Sequence, residues 1–148
     1  MQIRLATKSD SVNLIAFNQA MAMETENKRL DSDILSAGVL SIFDDDKKGF
    51  YVVAESDERI VGGLMITYEW SDWRSGWFWW IQSVYIEPEY RGRGIYSELY
   101  SFVKNRAREV GGVCGFRLYV EKDNRHAQDV YRKLGMEETY YQMFEEKL

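Results

Sequence analysis

One stretch of the chain decides how the rest can fold, and it reads Val84-Tyr85-Ile86-Glu87-Pro88-Glu89-Tyr90-Arg91-Gly92-Arg93-Gly94-Ile95-Tyr96. A run of strand-forming residues ends just before the only proline, Pro88. Two glycines, Gly92 and Gly94, follow, and an amphipathic helical pattern begins directly after them. A glycine loop that leads into a helix leaves backbone N–H groups without partners, and the helix dipole makes that end electropositive. The stretch therefore predicts a loop that binds the phosphates of a ligand, with Arg91 and Arg93 at its rim.

The loop differs from two other phosphate-binding motifs. A Walker loop requires G-x-x-x-x-G-K-[ST], which the chain does not contain. A dinucleotide fingerprint requires G-x-G-x-x-G, and here Ser97 occupies the position of the third glycine. From the loop alone, a plain turn with a capping glycine and two solvated arginines stays open as a second interpretation.

Length and composition favour an ordinary globular protein. The chain has 148 residues, of which 45% are hydrophobic and 29% are charged, and we expect one domain spanning residues 1–148. No apolar run is long enough to cross a membrane, and the N-terminus opens directly into a strand pattern, so we expect no export signal and no membrane partner. The single cysteine, Cys114, lies among apolar residues and is expected to be buried. These features predict a cytoplasmic location.

The charge pattern argues against several classes of ligand. Acidic residues outnumber Lys and Arg by 24 to 19, which disfavours a nucleic-acid partner because such partners need a clustered basic surface. His126 is the only histidine, and no Cys or His cluster is present, so we expect no metal. A small phosphorylated ligand suits the few clustered basic residues better than a polymer does.

Hydrophobic periodicity gives one continuous α/β pattern without a linker. A short strand at 3–5 and two helices, one after Thr7 and one over 33–40, come first. A strand hairpin over 50–55 and 60–70, a long strand over 77–86 and a helix from Ile95 to the glycines at 111–112 follow. The rest of the pattern predicts a strand over 114–120, a helix capped by Asn124 and closed by Gly135, and short strands around 137 and over 140–146.

Two separate blocks resemble the GNAT family of N-acetyltransferases. The block Arg91-Gly92-Arg93-Gly94-Ile95 resembles the family's Arg/Gln-x-x-Gly-x-Gly/Ala signature, except that Tyr96 stands where Gly or Ala is usual. The block from Asn124 to Met136 is similar to the family pattern Asn-x-x-Ala-x-x-x-Tyr-x-x-x-Gly-Phe, with Met in place of Phe. The two blocks occur in the family's order, about 30 residues apart.

The resemblance implies both a fold and a cofactor. The expected fold is α/β, with a mixed, mostly antiparallel central sheet, two splayed parallel strands and helices on both faces. The expected cofactor is acetyl-CoA, whose pantetheine arm would lie between the splayed strands. The residues that the resemblance assigns to the cofactor are Val84, Tyr85, Ile86, Arg91, Gly92, Arg93, Gly94, Ile95, Tyr96, Asn124 and Tyr131. The strand and loop residues would act through their backbone, and Asn124 would hydrogen-bond the pantetheine or order the active site. Because backbone donors are indifferent to the side chain, Tyr96 is expected to point away from the phosphates.

The resemblance also assigns Tyr131 as the general acid for the departing thiolate, since a phenol is protonated at neutral pH. No base is assigned, because Gln82 occupies a position where some relatives carry a glutamate. The candidate acceptor residues are Glu24, Glu26, Tyr68, Glu69, Trp70 and Gln82. The dense aromatic run from Tyr68 to Trp80 is interpreted either as the lining of an acceptor pocket or as a contact in a homodimer.

These observations predict an enzyme that transfers an acetyl group directly to the primary amine of a small molecule. Two other functions stay open. One is acetylation of a protein lysine or N-terminus, and the other is a non-catalytic acyl-CoA-binding domain with a regulatory role.

Overall fold

The computed structural model describes residues 1–148. The chain forms five strands and four α-helices, with short 3-10 turns at Lys8–Asp10 and Pro88–Tyr90. In chain order the elements are β1 (Gln2–Leu5), α1 (Ser11–Glu26), α2 (Ser32–Asp44), β2 (Phe50–Ser56), β3 (Arg59–Ser71), β4 (Gly76–Ile86), α3 (Ile95–Val110), β5 (Val113–Arg117) and α4 (Arg125–Lys133). Two compact units result, Met1–Leu118 and Tyr119–Leu148. None of the helices is long and apolar enough to cross a membrane.

The first unit contains one mixed sheet in the order β1-β2-β3-β4-β5. Strands β1 to β4 are antiparallel neighbours, and β5 pairs with β4 in parallel. The hairpin between β2 and β3 turns at Asp57 and Glu58, which have φ of 50° and 63°. Positive φ at both central residues matches the right-handed twist of the strands, and the predicted hairpin is confirmed.

Helices cover both faces of this sheet. On one face, Leu14 and Phe17 of α1 and Val39 of α2 pack against Tyr51 and Val53 of β2 in a buried cluster. On the other face, Phe50, the strand neighbour of Tyr51, lies under a side chain of α3. Because alternate strand residues face opposite sides, β2 is buried on both. The predicted mixed sheet with helices on both faces is confirmed.

Strand β4 separates from β5 partway along its length. The two strands pair only from Trp77 to Trp80, whereas β4 stays paired with β3 as far as Ile86. A bulge interrupts the β3–β4 ladder where Ser83 adopts a positive φ of 52°. Bulges bend the strand that carries them. The edge of β4 that faces β5 is therefore open from residue 81 onward, and the predicted splay is confirmed.

Three expectations at the C-terminal side of the sheet are wrong. The strand predicted over 114–120 ends at Arg117, because the pairing with β4 ends there. No strand forms around 137 or over 140–146, where the exposed chain makes no ladder hydrogen bonds. Cys114 is exposed rather than buried, because β5 is an edge strand of the sheet.

Two glycines allow a sharp test of how closely the start of β2 packs against β3. Gly49 has a φ of 147°, and a Cβ there would lie 1.9 Å from the Ile66 carbonyl oxygen of the central strand β3. We expect Gly49→Ala to lower the free energy of unfolding by about 2 kcal/mol or more, since neither backbone can move away. Gly38 in α2 has open space at its Cβ. Gly38→Ala should instead raise that free energy by up to about 1 kcal/mol. Chemical denaturation of both variants measures the difference, and equal effects would contradict this packing.

Candidate active site

The glycine loop ends at the N-terminus of α3 and presents unpaired backbone donors. Gly92 and Gly94 have φ of 76° and 77°, and a Cβ on either would meet no atom within 4 Å. Gly94 is the N-cap of α3 and supplies no side-chain cap. The backbone N–H groups of Gly92, Arg93, Gly94 and Ile95 donate to no acceptor of the chain. An electropositive helix end with open space above two glycines is suited to an anion such as a pyrophosphate.

Arg91 ties this loop to the rest of the first unit. Its Nε donates to the Ile86 carbonyl oxygen at 2.8 Å, and its Nη2 donates to both carboxylate oxygens of Glu24 at 3.0 and 3.2 Å. The guanidinium also lies 5.3 Å from the centroid of the Tyr85 ring. The loop is thus fixed to the end of β4 and to the last turn of α1. Glu24 is engaged in this ion pair, while Glu26, at the end of α1, is exposed.

The tyrosines around the loop have distinct environments. The Tyr85 ring is buried against Phe17, with centroids 5.2 Å apart, so what β4 exposes at this point is backbone. Burial, and secondarily the charge of Glu24, raises the pKa of the Tyr85 phenol. Tyr96 stacks on Tyr100 one helical turn further along α3, with planes 11° apart. The Tyr96 ring therefore lies alongside α3.

The open edge of β4 leads directly into this loop. Val84, Tyr85 and Ile86 lie beyond the last residue that pairs with β5, so their backbone has no strand neighbour on that side. An extended ligand can pair with such an edge as an additional strand does. The edge and the loop are consecutive in the chain and lie within one compact unit.

A polar cluster lies on the sheet face that carries α1 and α2. Trp80 Nε1 donates to Glu69 Oε1 at 2.7 Å, and Arg117 Nη1 donates to Glu69 Oε1 and Oε2 at 3.0 and 3.1 Å. On the same face, Gln82 Nε2 donates to Thr67 Oγ1 at 2.5 Å. Of the predicted acceptor residues, the sheet thus brings Glu69 and Gln82 together on one face.

Tyr68 and Trp70 lie on the opposite face and do not join that cluster. Tyr68 contacts Trp77 and Trp79, with centroids 6.2 and 6.0 Å apart, and Trp70 lies 5.0 Å from Trp77. Burial raises the pKa of the Tyr68 phenol. The physical reason for the separation is strand alternation, since neighbouring residues of β3 point to opposite sides. Trp70 and Trp77 are partly exposed, and Trp73 in the β3–β4 loop is 86% exposed.

The second unit holds the other two predicted residues. The Asn124 side chain accepts from the Ala127 backbone N–H at 3.2 Å and caps α4, which confirms its predicted capping role. Because the cap uses the carbonyl oxygen, the NH₂ of that amide is the group left for a ligand. Burial raises the pKa of the Tyr131 phenol above its ordinary value of 10.0, so this group stays protonated at neutral pH.

One residue of the polar cluster, Arg117, was missed in the sequence. Its signal was a cation inside an otherwise apolar strand pattern, flanked by Phe116 and Leu118. A charge at such a position is rare unless it is paired. The pairing partner, Glu69, lies 48 residues away in the chain, so its identity depends on the register of the sheet.

Comparisons with known proteins agree with this architecture. The model of the Acetyltransferase (GNAT) family matches residues 16–136. A thialysine N-epsilon-acetyltransferase from Bos taurus is 34% identical over 80 residues, which are 53% of this chain and 45% of that protein. The chain spans about half the length of the curated relatives it matches.

Solved structures share the fold over nearly the whole chain. A protein described as a possible acetyltransferase from Clostridium difficile 630 is 44% identical, with a TM-score of 0.91 over 99% of this chain and 97% of that chain. A protein from Clostridium acetobutylicum, described as a predicted acetyltransferase with acetyl-CoA, is 19% identical. Its TM-score is 0.80 over 98% of this chain and 95% of that chain, and the likeness shows the fold alone.

The loop geometry generates a matched pair of variants. Gly94→Ala places a Cβ in the space above the α3 N-terminus, and we expect it to weaken the binding of CoA at least tenfold. Gly111→Ala changes the other end of α3, where φ is 78° and the Cβ also meets nothing within 4 Å. Backbone strain should lower the free energy of unfolding of both variants by about 1 kcal/mol or more. The loss in Gly111→Ala should be at least as large as the loss in Gly94→Ala, because the ψ of 163° at Gly111 is less accessible to alanine. Titration calorimetry and thermal melts of both variants separate strain from binding. Equal CoA affinities would show that the loop is not the phosphate site.

Proposed function

The chain belongs to the acetyltransferase (GNAT) family, and we propose that it transfers the acetyl group of acetyl-CoA directly to the primary amine of a small molecule. The observation that carries this proposal is the position of the glycine loop, which follows the unpaired edge of β4 without a break. This arrangement offers donors for an extended thioester arm and for a pyrophosphate in one continuous segment.

The residues of the loop fit acetyl-CoA chemically. In the proposal, the backbone from Arg91 through Tyr96 holds the pyrophosphate, and the backbone of Val84, Tyr85 and Ile86 holds the pantetheine arm. Acetyl-CoA supplies the acetyl group as a thioester. The absence of a Cβ at Gly92 and Gly94 leaves the space that phosphate oxygens need. Arg91 acts in part by orienting the loop, since it is already bound to Glu24 and to the Ile86 carbonyl oxygen.

The proposed reaction forms a C–N bond between the neutral amine and the acetyl carbon and breaks the C–S bond of the thioester. A free backbone N–H near Tyr85 or Ile86 stabilises the oxyanion that develops on the carbonyl oxygen. Tyr131, by its match to the family tyrosine, donates a proton to the departing thiolate, and its raised pKa keeps that proton in place. No step passes through an acetylated enzyme group.

We assign no carboxylate as the base. Glu24 is ion-paired with Arg91, and Glu69 accepts hydrogen bonds from Trp80 and Arg117. In each carboxylate both oxygens already accept hydrogen bonds from these partners, so neither offers a free oxygen to an amine proton. Gln82 is not a base at neutral pH. Water is therefore proposed to carry the amine proton to solvent.

Location and assembly are also part of the proposal. A cytoplasmic enzyme is supported by the single cysteine, Cys114. Pairing of two copies is supported by the exposed tryptophans Trp70, Trp73 and Trp77, which lie together around the β3–β4 loop.

The first test is ligand binding measured as thermal stabilisation. At about 100 times its Kd, acetyl-CoA should stabilise the fold by about 2.7 kcal/mol and raise the thermal midpoint by several degrees. Desulfo-CoA should act similarly because it keeps the pyrophosphate and most of the arm, whereas NADH should not. A shift with acetyl-CoA but no thiol release with any amine or peptide would favour a binding domain. Release with peptides alone would favour a protein-modifying enzyme. No shift with either CoA compound would refute the proposal.

The second test is the role of Tyr131. We expect Tyr131→Phe to lower kcat about 10²- to 10⁴-fold while the KM for acetyl-CoA changes little, because only the donated proton is lost. Since burial raises the pKa of this phenol, loss of its proton should lower the wild-type rate only above pH 10, whereas below that pH the rate should rise as the amine acceptor becomes neutral. Steady-state kinetics against pH measures both effects. An unchanged kcat in the variant would exclude Tyr131 as the acid.

A further inference from the structure

Arg117 is held rigidly at the point where β4 and β5 part. It faces Trp80 in the last pair of the β4–β5 ladder. Its guanidinium carbon lies 3.6 Å from the centroid of the Phe78 ring, so the planar group lies against an aromatic face. Its Nη1 donates to both oxygens of Glu69 at 3.0 and 3.1 Å. An arginine fixed by both a carboxylate and an aromatic ring loses little further entropy when it binds a ligand.

The remaining donors of this arginine have no acceptor in the chain. All of its hydrogen bonds come from Nη1, which leaves the N–H groups of Nε and Nη2. Those two nitrogens share one edge of the guanidinium and form the fork that binds a carboxylate through two parallel hydrogen bonds. The side chain is 25% exposed, so part of it is open to a ligand while much of the group is shielded from water.

The same cluster pairs the carboxylate of Glu69, which is one of the candidate acceptor residues. Glu69 accepts two hydrogen bonds at Oε1 and one at Oε2, from Trp80 and Arg117 together. The cluster therefore offers surplus donors rather than a free negative charge. A carboxylate is the ligand group that binds such donors most strongly, and an amine with only positive charges has no partner in the cluster.

The cluster lies beside the edge on which the thioester is proposed to bind. Trp80 ends the part of β4 that pairs with β5, and the open edge that leads to Val84 begins at the next residue. Resting on the function proposed above, we propose that Arg117 binds the carboxylate of the amine acceptor. The acceptor is then an amino acid with a free side-chain amine, and not a polyamine or an amino sugar.

The test compares amines that differ only in the carboxylate. Lysine is paired with cadaverine, and ornithine with putrescine, because each diamine is the amino acid without its carboxyl group. Wild-type protein should acetylate one or both amino acids with a kcat/KM at least tenfold above that of the matched diamine. In Arg117→Gln the amino-acid value should fall to that of the diamine, mainly through KM. The ratio of the amino-acid value to the diamine value should fall to about one, whereas a merely structural role would lower both values and leave that ratio unchanged.

Arg74→Gln is the matched control. Arg74 also lies over the Phe78 ring, at 5.0 Å, but makes no hydrogen bond to Glu69. The Arg74→Gln variant should keep the preference for the amino acids over the matched diamines. If Arg117→Gln does not fold, Arg117→Lys keeps a charge near Glu69 without the planar fork and should reduce the preference. Wild-type rates that are equal for amino acids and diamines would overturn the inference, as would equal losses for both in Arg117→Gln.

A binding measurement separates this inference from the proposed function. The thermal midpoint is measured with Nε-acetyllysine and with N-acetylcadaverine, neither of which requires turnover. A shift with the former in wild type and Arg74→Gln, but not in Arg117→Gln, supports the carboxylate site even if no amine is acetylated. Acetylation of diamines with no shift for either compound and no amino-acid preference leaves the proposed function standing and refutes the role of Arg117.

Discussion

The parting of β4 from β5 is the constraint on which the rest of the site depends. Strand β4 stays paired with β3 to its end, which holds it in place, but it loses β5 after Trp80. A parallel neighbour requires a crossover connection, and here that connection is the glycine loop followed by α3. The unpaired strand edge and the unpaired helix N-terminus are therefore produced by one topological feature. Backbone donors that a closed sheet would satisfy internally are left for a ligand.

Paired charges fix the site on both sides of this opening. Arg91 binds Glu24 and the end of β4, and Arg117 binds Glu69 while it lies on Phe78. Each pair includes a carboxylate, Glu24 or Glu69, that the sequence analysis treats as a candidate acceptor residue. In the folded protein each carboxylate holds an arginine instead. The arginines keep donors for ligands because a guanidinium has five N–H groups and each pair uses only some of them.

The aromatic run between β3 and β4 has two separate roles because the strands alternate. Phe78 and Trp80 share the face of the polar cluster, where they support Arg117 and Glu69. Trp77 and Trp79 share the other face with Tyr68, and Phe116 of β5 joins them. One dense stretch of sequence therefore contributes both to the polar cluster and to the core, and its exposed tryptophans lie outside the cluster.

The sequence by itself determined the elements from β1 to α4, the glycine loop and the family, because these depend on local patterns. Periodicity, the proline, the two glycines and the capping Asn124 act over a few residues, and each is confirmed. The predicted C-terminal strands and the buried Cys114 were wrong because strand pairing and edge position depend on distant segments. Only the tertiary structure decided that Glu24 meets Arg91, 67 residues away, and that Glu69 meets Arg117. Register and bulges bring such residues together, and a single sequence does not encode them as a readable pattern.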